Sequence, residues 1–563
     1  MEIAGEEIQT LSMDHHGLVA AVCKDLGIAE KINSRIGKTD ERRVVSTGKA
    51  AVAMILNGLG FTNRRLYLTH QFFETRPTEI LLDEPIKASD ITDYTLGHAL
   101  DEIAEYGASK LFGEVAFEVA IENDLLGSLN HIDTTSISVD GEYDNKTQDD
   151  EREPSAINIT YGHSKDYRPD LKQLVLSLVV NGPSSMPLFM EPLSGNNSDK
   201  NSFHETIKKV EDFKKQINLE KNFKWVADSA LYTADKLLKS NDMLWLTRVP
   251  ETIKEAKDLV KKPECEIEWK ELEKGYKISQ HVSHYGGIEQ RWLLVYSEQA
   301  YAREQKTFEK SLGKKGDVLK KILWHFGNEI FDCEKDAEAA LKKIVTKNIL
   351  HVITHQVVEV KKYAQKGKPK LGEEKIVVGF KVESSFERNE EEINKMLNKK
   401  GRFILATNDL DKENYPDQFM LSEYKEQQNV EGGFRFIKDP WFMLDSIFLK
   451  SPKRIEALMM VMTLCLMVYN IAQYKLRTQL KEKDETLPNQ LNKQIQNPTV
   501  RWIFQIMEGI GIVEFYKKEI YGPIKKVVTN INELRKKIIK LFGETACRMY
   551  GLIQKRPAEV LGM

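Results

Sequence analysis

Residues 131–141, HIDTTSISVDG, are the stretch on which the fold assignment depends. The run is rich in β-branched residues and ends in an Asp-Gly turn signal, so it predicts a β-strand. Aspartate is normally depleted from strand interiors, yet Asp133 lies inside this one. A buried carboxylate needs a partner, and a metal ion would serve. An aspartate in a strand-end turn is the alternative interpretation of Asp133.

The chain after this strand has the pattern of an α/β module. KQLVLSLVVNG and SMPLFMEPLSGN predict a hairpin, and FKWVAD and MLWLTRVP predict two further strands with helical segments between them. Asp228 ends FKWVAD. It would therefore lie at the carboxyl end of a strand, where α/β sheets bind their ligands. A helix-capping aspartate is the alternative at this position.

The whole chain is predicted to be mixed α/β: an RNase H-like core interrupted by a large α+β insertion, with helical N- and C-terminal regions. The core assignment follows from the family resemblance described below. The predicted segments are a helical region at 1–125, the first part of the core at 126–250, the insertion at 251–400, the second part of the core at 401–475, and a basic helical region at 476–563.

Composition excludes several classes of protein. The chain is 41% hydrophobic and 30% charged, which excludes a disordered chain and a small disulfide-stapled fold. Its five cysteines are scattered without a CxxC pair, which favours reduced thiols in a cytosolic protein. The apolar run at 457–472 is shorter than the ~20 residues that span a bilayer. It predicts a buried helix, with no membrane partner.

A third carboxylate, Glu431, lies in a segment that predicts one helix from about residue 422 to 438. At about 100° per residue, one side of that helix carries Tyr424, Gln427, Glu431, Arg435 and Lys438, beside an apolar stripe. Such a face places an acid and two cations at the edge of a cleft. An ordinary amphipathic helix with an i,i+4 pair between Glu431 and Arg435 is the alternative.

Taken together, the three carboxylates indicate a common chemistry. Oxygen ligands from Asp133, Asp228 and Glu431 suit Mg²⁺, with Mn²⁺ as a second candidate ion. Two such ions roughly 4 Å apart would activate an attacking oxygen and stabilise the leaving 3′ oxygen of a phosphodiester. Arg435 and Lys438 would hold phosphates nearby.

These residues resemble the signature of a known family. YKEQQNVEGGFRFIKDP, residues 424–440, resembles the Y-x₂-R-x₃-E-x₆-K signature of DDE transposases of the insertion-sequence-four superfamily. NHIDTTS and VADSALYT resemble the motifs that carry the first and second catalytic aspartates of that family. The chain departs from the signature at Gln427, where the family has arginine. Tyr232 follows Asp228 by four residues, where many relatives have three.

The resemblance implies an RNase H-like catalytic core with Asp133, Asp228 and Glu431 as both catalytic residues and metal ligands. It also implies DNA contacts by Tyr232 and by the signature residues 424, 427, 435 and 438. The implied activity is Mg²⁺-dependent cleavage at terminal inverted repeats and transfer of the 3′-OH to target DNA. A homodimer would act in a prokaryotic cytoplasm. A related nuclease without strand transfer, and a domesticated DNA-binding protein without activity, are the alternatives.

Overall fold

The computed structural model describes residues 2–3, 6–37, 43–61, 68–139, 141, 143, 157–197, 199–239, 242–364, 374–439, 449–517 and 523–553. Contacts within the chain divide it into two units. The first unit combines Met1–Leu246 with Leu421–Met563, and the second is Thr247–Met420. The second unit is therefore inserted into the first in sequence, as predicted.

The strands of the first unit form a core sheet, a terminal sheet and a small hairpin. Their bounds are β1 (Glu2–Ile3), β2 (Glu6–Ser12), β3 (Leu129–Val139), β4 (Lys172–Asn181), β5 (Met186–Ser194), β6 (Lys224–Ala227), β7 (Leu244–Arg248), β14 (Leu487–Pro488), β15 (Gln494–Ile495), β16 (Gly511–Lys517) and β17 (Lys525–Thr529). Core strands run in the order β5-β4-β3-β6-β7. β3, β4 and β5 are antiparallel neighbours, and β6 is parallel to β3. This arrangement confirms the predicted RNase H-like core.

Helices precede, cover and follow this sheet. Their bounds are α1 (His16–Asp25), α2 (Ile28–Ile36), α3 (Thr47–Gly58), α4 (Thr69–Phe73), α5 (Thr78–Leu82), α6 (Asp93–Tyr106), α7 (Ala108–Glu122), α8 (Asp199–Gln216), α9 (Ala234–Lys239), α15 (Gln428–Ile437), α16 (Pro452–Glu482), α17 (Val500–Ile506), α18 (Glu533–Leu541) and α19 (Glu544–Met549).

The two faces of the core sheet are covered by different helices. Residues paired across antiparallel strands share a face, and Asp133 is paired with Leu178. Ser177, on the opposite face, has its Oγ 3.4 Å from Thr206 Oγ1 of α8. The Leu178 face lies under α15, because a Cβ added to Gly433 would stand 3.6 Å from Leu178 Cδ2. Asp133 therefore projects from the face that α15 covers.

Helix α16 is the central helix of the first unit. It packs against α3, α6, α7 and β5. It is the one helix among the described residues that is long and apolar enough to cross a membrane. Of its most apolar 18-residue stretch, 83% is buried inside the protein. Thr463 within that stretch is satisfied by donating to Met459 O at 2.8 Å. The prediction of a buried helix at 457–472 is confirmed.

The two ends of the chain fold together. β2 pairs with β16, so that Leu11 lies opposite Ile512, and β1 and β17 complete a four-stranded sheet. Tyr550 is 1% exposed. Its hydroxyl donates to the carbonyl of Asp14. Residues that are some 500 positions apart in the chain thus share one sheet and one patch of core.

Both terminal regions are largely helical, but each also contributes strands to this sheet. In the C-terminal region, the segment IKKVVTNINELRKKIIKLF divides into β17 and α18 rather than forming one helix. Val527 and Val528 are β-branched and favour a strand once β16 offers a partner. Asn532 then caps α18 by accepting from Arg535 N at 2.9 Å.

The second unit is an α+β module, as predicted. Its elements are α10 (Lys254–Lys261), β8 (Lys270–Glu273), β9 (Tyr276–Ser283), β10 (Gln290–Ser297), α11 (Glu298–Phe326), α12 (Glu334–Lys347), β11 (His351–Lys362), β12 (Ile376–Arg388), α13 (Glu390–Leu397), β13 (Arg402–Thr407) and α14 (Asp417–Lys425), which continues into the first unit. β11 and β12 form a long hairpin. Contacts assign β13, the GRFILATND strand, to this unit. The strand is predicted from the sequence to belong to the second part of the core, which begins at residue 401.

His15 is a buried neutral histidine at the start of α1. Its Nε2 lies 2.9 Å from Leu59 O, and its ring stacks on Phe504 with centroids 4.2 Å apart. Burial lowers the pKa of His15 to about 4, and the hydrogen bond to Leu59 offsets part of that effect. The folded state therefore resists protonation that the unfolded chain accepts near pH 6.5.

Because the folded pKa is depressed, we expect stability to fall as the pH drops from about 6.5 towards 4. Between pH 7.5 and pH 5, His15 should lower the free energy of unfolding by about 2 kcal/mol. Urea unfolding at the two pH values measures the loss. The free energy of unfolding of His15→Gln, which keeps a donor for Leu59 O, should fall by about 2 kcal/mol less than that of the parent protein over that interval. An equal loss in both proteins would assign the acid sensitivity to other groups.

Candidate active site

Asp133 and Asp228 lie side by side on the core sheet. In the parallel pair of β3 and β6, Ile132 is in register with Ala227. Asp133 and Asp228 are the next residue on each chain, at the carboxyl end of β6. Ligands of α/β sheets bind at the carboxyl ends of strands. The structure thus brings together two of the three predicted carboxylates, which are far apart in sequence.

Each of these two carboxylates is partly exposed and locally anchored. Asp228 Oδ1 accepts from Ala230 N at 2.8 Å and caps the short turn that follows β6. Asp133 Oδ1 accepts from Thr134 N at 2.7 Å. Backbone hydrogen bonds therefore orient both carboxylates, which stay partly exposed.

A lysine stands beside the first carboxylate. Lys165 Nζ is 3.7 Å from Asp133 Oδ1 and donates to Thr134 O at 2.6 Å. Its backbone N–H donates to Ser136 Oγ at 2.8 Å, which fixes the loop before β4 against β3. The ammonium group shows that this end of β3 accommodates positive charge. Lys165 is not among the residues predicted for the site, because a lysine in a polar loop has no distinguishing sequence pattern.

Gln427 fastens the glutamate helix to the strand that carries Asp133. Its Nε2 donates to Ile132 O at 3.0 Å, and its Oε1 lies 3.2 Å from His131 Nδ1. The side chain is 8% exposed. Gln427 immediately precedes α15. Both ends of this amide are therefore used to hold the start of α15 on β3, one residue before Asp133.

Glu431 occupies the first turn of α15, one turn beyond Gln427, and is exposed. In the described part of the chain, no ion pair joins Glu431 to Arg435. Within the same residues, no group of three or more His, Cys, Asp or Glu side chains stands close enough to hold a metal ion. The structure therefore places Glu431 on the helix that covers the Asp133 face of the sheet, and it forms no three-carboxylate cluster among the described residues.

The predicted single helix over 422–438 is wrong. It is two helices, α14 and α15, separated by a turn at Glu426 and Gln427. Gln427 N donates to Tyr424 O at 3.1 Å, which is the tighter i→i+3 pattern. The angular positions calculated for a continuous helix hold for Glu431, Arg435 and Lys438. They do not hold for Tyr424, which lies on the other helix.

The remaining predicted DNA contacts fall in different environments. Arg435 is exposed on α15. Lys438 forms an ion pair with Asp166, with N–O distances of 2.8 and 2.7 Å, and so ties α15 to the loop of Lys165. Tyr232 is 1% exposed and packs edge-on against Trp245. A direct DNA contact by Tyr232 would require exposure that this structure does not give it.

Comparisons with known proteins add limited information. No curated protein matches the sequence. Residues 8–117 match a sequence family described as a domain of unknown function (DUF4277). One similar solved structure is a piggyBac transposase synaptic complex with hairpin DNA, which is 10% identical, with a TM-score of 0.35; the match covers 89% of this chain and 82% of that chain. Another is a Mos1 transposase paired-end complex with the left transposon end, which is 10% identical, with a TM-score of 0.14; that match covers 38% of this chain and 61% of that chain. The RNase H-like assignment rests on strand order and register.

Proposed function

We propose that this chain is a DNA transposase of the DDE type, which cleaves the ends of a mobile element and joins the freed 3′-OH to target DNA. One observation carries the proposal: Asp133 and Asp228 directly follow Ile132 and Ala227, which are in register on adjacent parallel strands of an RNase H-like sheet. The helix that bears Glu431 covers the same face.

The three carboxylates are proposed to hold two Mg²⁺ ions, or Mn²⁺ in their place. The donor set fits, because hard divalent cations prefer carboxylate oxygens and both aspartates are partly exposed. Bound ions would supply Lewis-acid stabilisation of charge on the attacking and leaving oxygens. Asp133 and Asp228 contribute ligands from fixed strands, and Glu431 contributes one from a helix that Gln427 anchors.

The cationic residues are proposed to position DNA. Arg435 is exposed one turn after Glu431, where its guanidinium can form a bidentate contact with a phosphate. Lys438 would have to exchange Asp166 for a phosphate. DNA partners are the terminal inverted repeats and the target. A homodimer is proposed because two ends must be held together, and the proposed location is the prokaryotic cytoplasm.

Strand joining separates a transposase from a nuclease of the same fold. With a duplex that carries the element's terminal repeat, already cut to expose a 3′-OH, we expect Mg²⁺-dependent joining to a target plasmid. Gel analysis of labelled end DNA measures the joined product. The control is the same duplex with a 3′-deoxy end, which removes the attacking oxygen and should abolish joining. Cleavage of the uncut duplex without any joined product would identify a nuclease instead.

A further inference from the structure

A groove between α15 and α16 opens on the flank of the proposed active site. Its walls are α15 from Gln428 to Phe436, α16 from Leu466 to Lys481, and the β4–β5 turn Pro183–Ser185. Its volume is about 680 Å³, within the ~300–1,000 Å³ range of ligand sites. We refer to it as the α15–α16 groove. All of its walls belong to the first unit.

The groove is cationic without neutralising acids. Arg435, Arg477 and Lys481 line it, and none of the described lining residues is Asp or Glu. In the described part of the chain, the side chains of Arg435 and Lys481 form no ion pair. Burial lowers the pKa of Arg477, and the one opposing influence is the Tyr469 hydroxyl rather than a carboxylate. Arg477 also donates to Pro498 O at 3.0 Å and to Asn497 O at 3.3 Å. The groove lining therefore carries three positive charges and no carboxylate.

The walls also offer unused hydrogen-bonding groups and an aromatic surface. Ser184 is 6% exposed, and its Oγ has no hydrogen-bond partner among the described residues. The amides of Gln428 and Asn429 are exposed at the α15 wall, and the Tyr474 ring lines the α16 wall. Aromatic faces stack nucleobases irrespective of sequence. This combination suits a ligand that carries both phosphates and flat rings.

The groove lies next to Glu431 on the same helix. At about 100° per residue, Arg435 stands about 40° around α15 from Glu431, between the carboxylate and the groove. A positively charged groove with an aromatic wall is typical of sites that bind a single strand of nucleic acid, whose unpaired bases are free to stack.

We infer that the α15–α16 groove binds a single strand of DNA beside the phosphodiester that is cleaved. This inference rests on the proposed function for the identity of the DNA. Phosphates would contact Arg435, Arg477 and Lys481, and a base would stack on Tyr474. Strand separation near the cut end would then be stabilised by a site that is distinct from the carboxylates.

Gly432 provides a sharp test, because it forms part of the groove wall. A Cβ at this position would meet no atom within 4 Å. Gly432→Leu should therefore fill the groove without disturbing the fold, and Gly432→Ala is the matched control. We expect a fluorescein-labelled ten-residue oligothymidylate, in EDTA, to bind Gly432→Leu at least about tenfold more weakly, the loss of one stacked or charged contact. Gly432→Ala should bind as the parent does.

Lys481→Ala provides a second test that does not depend on filling the groove. The dependence of log affinity on log salt should fall by about 0.7, the value for one phosphate contact to a single strand. Lys536→Ala, on α18 and paired with Glu533, is the control and should leave that slope unchanged. A duplex of equal length should show no sensitivity to Gly432→Leu, and inorganic phosphate should compete only weakly.

Unchanged oligothymidylate binding by Gly432→Leu and an unchanged salt slope in Lys481→Ala would overturn the inference. The inference would also be overturned if Gly432→Leu weakened duplex binding as much as oligothymidylate binding. Displacement of the oligonucleotide by an equal concentration of inorganic phosphate would overturn it as well. These binding measurements need no divalent ion and no cleavage. If oligonucleotide binding does not depend on the groove, the joining assay can still support a transposase. If no joined product forms, single-strand binding in the groove can still be measured.

Discussion

Asp228→Asn is expected to lower metal-dependent DNA cleavage by about a thousandfold or more, while DNA binding and folding are retained. The asparagine side chain keeps an oxygen that accepts from Ala230 N, so the turn after β6 stays capped. What is lost is the negative charge that binds a cation. Metal ligation contributes several kcal/mol to stabilising charge in the transition state, and each 1.36 kcal/mol corresponds to about tenfold in rate.

Single-turnover cleavage of a labelled end duplex in Mg²⁺ measures this effect. The matched control is Asp235→Asn, the same change at an exposed acid on α9 seven residues further on; it should cleave at the parent rate. Thermal unfolding confirms that both variants fold. Cleavage by Asp228→Asn within tenfold of the parent would remove this carboxylate from the metal site and, with it, the central step of the proposed mechanism.

Gln427→Leu is expected to slow cleavage by about 10- to 100-fold with little change in DNA affinity. The leucine side chain cannot bond to Ile132 O or His131 Nδ1, so two buried polar groups lose their partner, which costs about 1–3 kcal/mol. The start of α15 is then free to shift on β3. A displacement of about 1 Å in a catalytic group is enough for about a hundredfold loss of rate.

The comparison of kcat with KM distinguishes positioning from DNA contact. If Gln427 positions α15, kcat falls and KM for the end duplex stays near the parent value. If it contacts DNA, as the family signature implies for this position, KM rises instead. Gln427→Glu retains an oxygen towards His131 but cannot donate to Ile132 O, so its rate should fall between the parent and Gln427→Leu. Identical rates in all three proteins would contradict the positioning role.

The strands could be predicted because their signals are local, whereas the RNase H-like core was implied by the family resemblance. β3 and β6 are short β-branched or apolar runs ending in turns, and the RNase H-like topology then places Asp133 beside Asp228. The break at Gln427 could not be predicted in this way. The local sequence favours a continuous helix, and the turn coincides with an amide bonded to a strand almost 300 residues earlier.

Burial was also hard to read from local patterns. Tyr232 looks like a surface contact by motif, yet it packs on Trp245, a neighbour that sequence spacing does not reveal. Lys165 was overlooked because a lysine in a polar loop has no distinguishing pattern. Its proximity to Asp133 arises when the loop is held by Ser136 Oγ. The catalytic triad and the metal remain predictions that the experiments above address.

The pairing of β2 with β16 has a consequence for biosynthesis. While the chain leaves the ribosome, Glu6–Ser12 must wait for Gly511–Lys517 before its backbone hydrogen bonds are complete. Contacts between such distant residues close large loops, so they form late and slowly. An uncovered strand edge of this kind is prone to associate with other chains. Nascent copies on one polysome would thus be exposed to mispairing, and chaperone capture of early fragments should fall once residue 517 has emerged.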